Sequence, residues 1–334
     1  MIPPDSPERL DAFFFEAFAE EAERLHHHAA GAGLRIGTTA HTIQESGHSA
    51  PPSPVISIRT QSVPPAAWAG HLKGLLSRST GYDHLLTCRA AMDGNGPPLG
   101  YLPLYCARAV AEQALLLWTA LLRRLPRQLT QFERFHRDHL TGRENTGQTL
   151  AIWGVGHIGH EIWRIATALG LNAIGVDPVR RHAEVTYVSP EEALEQADIL
   201  VCAMNLTPRN RGYFSAERLA ETRRKPLLVN IARGEFTPAA ALETALDHGW
   251  LSGVALDVYN EETSLAAALR AGQSDALTPD NQALLRLRQH ANVLLTPHNA
   301  FNTAEAVERK SEQSIRTLLH FRQTGVFLWP VPEE

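Results

Sequence analysis

Three glycines stand at a spacing that can do chemistry: Gly154, Gly156 and Gly159, in Ala151-Ile152-Trp153-Gly154-Val155-Gly156-His157-Ile158-Gly159. A G-x-G-x-x-G pattern alone is weak, because glycines gather in loops by chance. Its setting here is specific. An apolar run precedes it, and a helical run follows with Ile158, Ile162, Ile165 and Leu169 on one face. A second apolar run ends at Asp177, 18 residues beyond Gly159. Gly154 permits a tight turn, Gly156 lets the backbone approach a pyrophosphate, and Gly159 lets helix and strand pack closely. The helix start offers free amides and the positive end of a dipole to phosphates. Asp177 can accept hydrogen bonds from an adenosine ribose diol, and its charge repels a 2′-phosphate, so the pattern predicts NAD over NADP. Arg180 and Arg181 follow closely and could instead hold a phosphate, or simply form a solvated loop. The competing reading of the glycines is a turn in an unrelated α/β sheet.

Three further segments follow apolar runs: Val229-Asn230-Ile231-Ala232-Arg233-Gly234, Ala255-Leu256-Asp257-Val258-Tyr259-Asn260-Glu261-Glu262 and Leu295-Thr296-Pro297-His298-Asn299-Ala300. Strand ends are where an open α/β sheet places its ligands. Singly each is modest, since an arginine after a strand is more often a surface charge. His26-His27-His28 is not read as a metal tract. Consecutive helix positions point in three directions, whereas chelation wants i and i+4. Cys88, Cys106 and Cys202 lie far apart with no CxxC, which predicts a reducing cytoplasm and neither zinc site nor disulfide framework. Cys202, in an apolar run, reads as a buried small hydrophobe.

The elements that must position these residues are legible from about residue 149. Short runs alternate with helical stretches: Leu150–Trp153, Asn172–Val176, Val185–Val188, Ile199–Ala203, Leu227–Ile231, Gly253–Leu256 and Val293–Leu295. That alternation predicts right-handed crossovers and a parallel sheet covered on both faces. A final helix is expected over 303–322, with Asn302 as N-cap. Upstream, residues 7–25 read as an amphipathic helix through Leu10, Phe13, Phe14, Ala17, Phe18 and Leu25. Val55–Ile58 and Gly74–Ser77 read as strands. Residues 93–104, with three glycines and three prolines, read as a connector, and Arg108–Leu125 as a buried helix. Phe13-Phe14-Phe15 and Trp118 read as core or dimer surface.

With 334 residues, the chain has room for two domains. Its net charge of −5, with no basic block, argues against nucleic acid. The longest apolar stretch, Ala114 to Leu122, is too short to span a bilayer, and the N-terminus shows no charged-then-apolar signal pattern.

Taken together and in order, the motifs resemble the D-2-hydroxyacid dehydrogenase family over roughly residues 74–325. The resemblance rests on the glycine loop, Asp177, Asn230-x-Ala232-Arg233-Gly234, Asp257 with Glu262 five residues on, and Pro297-His298. It is closest to the D-lactate dehydrogenases, through His157, Asp257-Val258-Tyr259, the long stretch between Glu262 and His298, and Pro297-His298-Asn299-Ala300-Phe301-Asn302-Thr303. It implies a doubly wound Rossmann cofactor domain, 108–299, inserted in a smaller flavodoxin-like α/β substrate domain formed by 1–107 and 300–334. It also implies an active site in the cleft between them, a homodimer and a cytoplasmic enzyme.

The same resemblance implies residue roles. Arg233 binds the substrate carboxylate and polarises the ketone, with a fork geometry that lysine lacks. His298 exchanges a proton with the substrate oxygen, and Glu262 orients its imidazole. Asp257, Ile231 and Ala232 lie near the nicotinamide, with Met204, Asn205 and Asn210 on the loop beside the cofactor. Asn205 departs from the proline often found there. Thr80 and Gly81 cradle the substrate carboxylate, while Tyr105 is either a substrate-side group or an ordinary interdomain tyrosine.

The implied reaction interconverts a D-2-hydroxy acid and its 2-oxo acid, with D-lactate and pyruvate the first pair. Alternatives are a bulkier or dicarboxylic oxo acid, for which Arg108 could supply a second cation, or a NAD-sensing interaction protein on the same scaffold. One departure stands out. Met1-Ile2-Pro3-Pro4-Asp5-Ser6-Pro7 cannot supply the apolar strand with which the family opens, because proline denies the ladder its donors. The small domain has therefore either lost a strand or begins at a displaced position.

Overall fold

In a computed structural model, residues 10–92, 96–273 and 277–332 are described; the proline-rich Met1–Pro7 segment lies outside them. The chain divides into two compact units, residues 1–106 with 302–334, and residues 107–301.

The first unit is built on a five-stranded parallel sheet of β1 (Ala12–Phe14), β2 (Ile36–Thr38), β3 (Val55–Ile58), β4 (Gly74–Ser77) and β5 (Leu99–Gly100), in the order β2-β1-β3-β4-β5. This 2-1-3-4-5 order is that of a flavodoxin-like sheet. The expected helix over 7–25 is therefore corrected: Ala12–Phe14 is a strand, and the helix spans Ala19–Gly31. Among the described residues the sheet opens at Ala12, downstream of the prolines. The physical reason is two-sided burial. A central parallel strand is apolar on both faces, so Phe13-Phe14-Phe15 mimics a helical stripe. Glu16 ends the strand. It adopts a left-handed backbone (φ 55°), and its carboxylate accepts the amides of Arg59, Gln61 and Ser62. Phe14 and Phe15 lie in the core.

The second unit carries seven parallel strands: β6 (Thr149–Trp153), β7 (Asn172–Val176), β8 (Thr186–Tyr187), β9 (Ile199–Cys202), β10 (Leu227–Asn230), β11 (Gly253–Leu256) and β12 (Val293–Leu295). Their order is β12-β11-β10-β9-β6-β7-β8. Chain direction across the sheet reverses between β6 and β9, which is the switch point where doubly wound folds bind dinucleotides. The helix expected over Arg108–Leu125 spans Ala107–Leu122, and Arg124, left-handed at φ 54°, separates it from a second helix, Leu125–Phe132. Trp118 is buried and donates its indole N–H to Asn145 Oδ1 at 3.0 Å. The last helix, Ala304–Thr324, is capped by Thr303 rather than Asn302: the Thr303 hydroxyl accepts the Ala306 amide. Cys202 is buried as expected, and burial pushes its thiol up to about 12.

Charged side chains also lie inside the first unit. Arg78, at the end of β4, donates Nε to Glu21 Oε1 (2.8 Å), Nη1 to Ser57 Oγ (3.0 Å) and Nη2 to the Phe15 carbonyl (2.6 Å). Lys310, from the last helix, reaches the same Glu21 oxygen at 2.9 Å, and all three charged side chains are fully buried. Burial pushes the Glu21 carboxyl up, but the surrounding cations of Arg78, Lys310 and Arg59 outweigh it and hold the pKa at about 2. Folding thus favours the ionised form. That stabilisation, about 3 kcal/mol, is complete above the unfolded value near 4.5 and is lost as pH falls towards 2. Glu21→Gln should cost about 3–5 kcal/mol in urea unfolding at pH 7, because it leaves the buried Arg78 guanidinium, and Lys310, whose ammonium burial pushes down to about 7, without their carboxylate. The gap to wild type should shrink as pH falls below 4.5. A pH-independent gap would show that charge is not the cause.

Candidate active site

The glycine loop leaves β6 and enters the helix His157–Ala168. Gly154 has φ 89°, and a Cβ there would lie 2.7 Å from the Ala203 carbonyl oxygen. A Cβ on Gly159 would come within 2.0 Å of the Gly154 carbonyl oxygen, so strand and helix touch backbone to backbone. Gly156 differs, since a Cβ on it would meet nothing within 4 Å. It stands at the helix N-terminus, beside half-buried Ile158 and exposed His157, and faces open space. This is the cradle that a pyrophosphate needs: first-turn amides, a positive dipole end and no side chain in the way. Asp177, just past β7, accepts the Val155 amide at 2.7 Å on Oδ2 and the Val179 amide at 2.8 Å on Oδ1. Its carboxylate therefore also fixes the loop itself, a role that spacing does not reveal.

The loop after β9 packs against the glycine turn, with Met204 Cα only 2.8 Å from the position of a Gly154 Cβ. Asn210 braces that loop from within, donating to the Asn205 carbonyl (2.9 Å) and accepting the Thr207 amide (2.7 Å).

After β10, the fully buried Asn230 shapes the turn that carries Arg233. It accepts the Ala232 amide at 3.0 Å and donates to the Arg233 carbonyl at 2.8 Å and to Thr237 Oγ1 at 2.9 Å. Ile231 is buried, and Arg233 donates Nη1 to the Ala232 carbonyl at 2.9 Å. A Cβ on Gly234 would fall 1.8 Å from the Tyr259 carbonyl carbon, so the turns after β10 and β11 are in backbone contact.

After β11, Asp257 is fully buried and receives three donors from the loop after β12: Thr296 Oγ1 at 2.5 Å, the Asn299 amide at 2.9 Å and the Ala300 amide at 2.8 Å. Burial pushes its carboxyl up, and those donors work against the rise. The Tyr259 hydroxyl faces the Thr296 carbonyl at 2.7 Å and the Leu256 carbonyl at 3.1 Å, tying the same two loops together. Between the amides that Asp257 holds and Pro297 sits His298, in a left-handed backbone (φ 51°). Its Nδ1 lies 2.7 Å from Oε1 of Glu262, the first residue of the helix Glu262–Arg270. An ionised carboxylate can only accept, so Nδ1 carries the proton and Nε2 is left to exchange one.

In the first unit, Thr80 Oγ1 donates to the Leu102 carbonyl at 3.4 Å, and the Gly81 carbonyl accepts Ser79 Oγ at 2.7 Å. Tyr105 is buried, with its ring 5.9 Å from Lys310 Nζ, and burial pushes its hydroxyl well up. Arg108 is engaged on the helix surface of the second unit, by Glu112 at 2.6 Å and Glu161 at 3.5 Å, which answers its charge locally.

The glycine geometry separates folding from cofactor binding. Gly159→Ala should lower the melting temperature, because backbone must move. Gly156→Ala should leave it unchanged and weaken NADH binding at least ~10-fold, equivalent to ~1.4 kcal/mol, because its methyl would occupy the cradle. Equal NADH affinity in Gly156→Ala and wild type, by fluorescence titration, would refute the placement of the pyrophosphate.

Residues 115–300 match the family model for the D-isomer specific 2-hydroxyacid dehydrogenase, NAD binding domain. The chain is 30% identical over 265 residues to a 2-hydroxyacid dehydrogenase A of Aspergillus oryzae, covering 76% of this chain and 73% of that protein. It is 29% identical over 262 residues to a D-lactate dehydrogenase of Lactiplantibacillus plantarum, covering 76% of each. Its fold is similar to that of a D-lactate dehydrogenase from Aquifex aeolicus solved with NAD and lactic acid. That likeness has a TM-score of 0.82 at 24% identity, over 96% of this chain and all of the other. No helix among the described residues is long and apolar enough to cross a membrane.

Proposed function

Because the chain belongs to the D-isomer specific 2-hydroxyacid dehydrogenases, NAD-dependent oxidoreductases, we propose that D-lactate and pyruvate are its substrate pair and that His298, Glu262 and Arg233 carry the reaction. The observation that carries this reading is the 2.7 Å His298–Glu262 contact, made at strand ends beside the one that presents Arg233. The nicotinamide, when bound, supplies or accepts the hydride.

The protein's own groups do the rest. The Arg233 guanidinium pairs with the substrate carboxylate and polarises the 2-oxo group. His298 gives its Nε2 proton to the oxygen that becomes the hydroxyl, and takes it back in the oxidative direction. Glu262 stabilises the imidazolium through Nδ1. Asp257 acts on His298 through the backbone, as a positioning residue. Gly154, Gly156 and Gly159, with Asp177 and the loop of Met204, Asn205 and Asn210, would hold the dinucleotide, and Ile231 and Ala232 would lie under its nicotinamide. With Arg108 paired to Glu112 and Glu161, a second substrate carboxylate loses the cation that favoured it, which supports a monocarboxylate. The complete set of proton carrier, orienter and guanidinium supports turnover over a purely sensing role.

NADH oxidation with a panel of 2-oxo acids tests the reading. Pyruvate should give the highest kcat/KM. His298→Gln should lose at least ~10³-fold in kcat, within the range for general acid–base groups, while NADH still binds. Normal turnover in that variant would remove His298 from the mechanism, and a dicarboxylic oxo acid as best substrate would replace lactate. Homodimerisation through the second unit is supported by Leu125, Leu129 and Phe132, which share a helix and are exposed at 38%, 66% and 74%. Phe132→Asp with Leu129→Asp should yield monomers in analytical ultracentrifugation; an unchanged sedimentation coefficient would place the interface elsewhere.

A further inference from the structure

A second group of imidazoles and a carboxylate lies away from His298. His160 sits on the helix His157–Ala168, and His182 and Glu184 lie on the loop between β7 and β8. His160 Nε2 is 2.7 Å from Glu184 Oε1. The His182 ring stacks on the His160 ring, with centroids 3.9 Å and planes 2° apart. The Trp163 ring is also parallel to His160, at 5.9 Å and 6°. One ligand atom from each of the three residues lies within 4.8 Å of the others.

From these contacts we propose that His160, His182 and Glu184 form a site for a divalent transition ion such as zinc, cobalt or nickel, which would tie the glycine-loop helix to the loop that starts at Asp177.

Two imidazole nitrogens and one carboxylate oxygen are a ligand set suited to these ions, with a fourth position left for water. Calcium and magnesium would want more oxygens. Metal–ligand bonds of ~2.0–2.1 Å put ligand atoms ~3.3 Å apart. The His160–Glu184 contact at 2.7 Å must open slightly, with the ion taking the place of the shared proton. His182 must turn out of the stack, since one ion cannot lie in the planes of two parallel rings. Its neighbours Arg181 and Ala183 are exposed and leave room for that turn. The His26-His27-His28 tract offers no such convergence: His26 meets Thr38 Oγ1 and His28 meets Glu308.

Cobalt(II) titration of metal-stripped full-length protein tests the site, with trypsin cleavage after the exposed Arg180 and Arg181 as a second readout. The expected result is a visible d–d absorption band of a four-coordinate ion, saturating at one equivalent, and slower cleavage at those arginines. His182→Ala and Glu184→Gln should each raise the apparent dissociation constant at least ~10-fold, since loss of an outer partner alone costs that much, and should abolish the protection from trypsin. His298→Gln should keep both signals. The proposal falls if no saturable band develops, if the band survives in His160→Gln/His182→Ala, or if it is lost in His298→Gln, which would put the ion on the Glu262 dyad instead.

Discussion

The second unit's chemistry hangs on one buried carboxylate. Asp257, just past β11, is fully buried, and three donors of the loop after β12 answer its charge. A buried carboxylate with three good donors is stable, whereas one stripped of them is costly. The loop after β12 is thus bound to a single shape, in which His298 is driven into a backbone region that residues with side chains avoid. Asn230 does the equivalent work one strand over, with every polar atom of its side chain engaged in the turn around Arg233. The backbone contact of Gly234 with Tyr259 locks those two turns to each other. The groups that would meet substrate are therefore placed by groups that would not.

Much of this was readable in advance, and the reason differs by region. In the second unit the strands are short, mostly apolar and separated by helices, so Asn172–Val176, Gly253–Leu256 and Val293–Leu295 were legible to the residue. The glycine loop was legible because each glycine answers a separate steric demand. The first unit was harder. β1 reads as part of a helix because its aromatic triplet satisfies either period. β5 hides in a stretch of glycines and prolines, where the backbone of Leu99–Gly100 pairs without a sequence signature. The working partners of Asp257 and Asn230 were not legible at all. Spacing says that a carboxylate stands after a strand, not which amides from some forty residues away will find it.

The buried trio of Glu21, Arg78 and Lys310 shows the same limit from the opposite side. Charged residues are expected at the surface, and nothing local marks these three as exceptions. Only assembly of β4 with the first and last helices brings them together, each satisfying another's charge. Such a trio is a poor source of net stability compared with apolar packing. It does make the first unit intolerant of alternative docking of its terminal helix, because any slip would strand a charge in the interior.

Glu261 and His298 share a left-handed conformation, with φ of 51° at each. One precedes the helix that begins at Glu262, and the other is the imidazole in contact with Glu262. Each such residue carries about 1–3 kcal/mol of backbone strain. The cost at His298 is inseparable from the role proposed for it. At the solvent-facing Glu261 it is not, since asparagine tolerates that region far better. Thermal hardening of the protein without touching its reacting groups therefore has an obvious starting point: the residue next to the dyad, not within it.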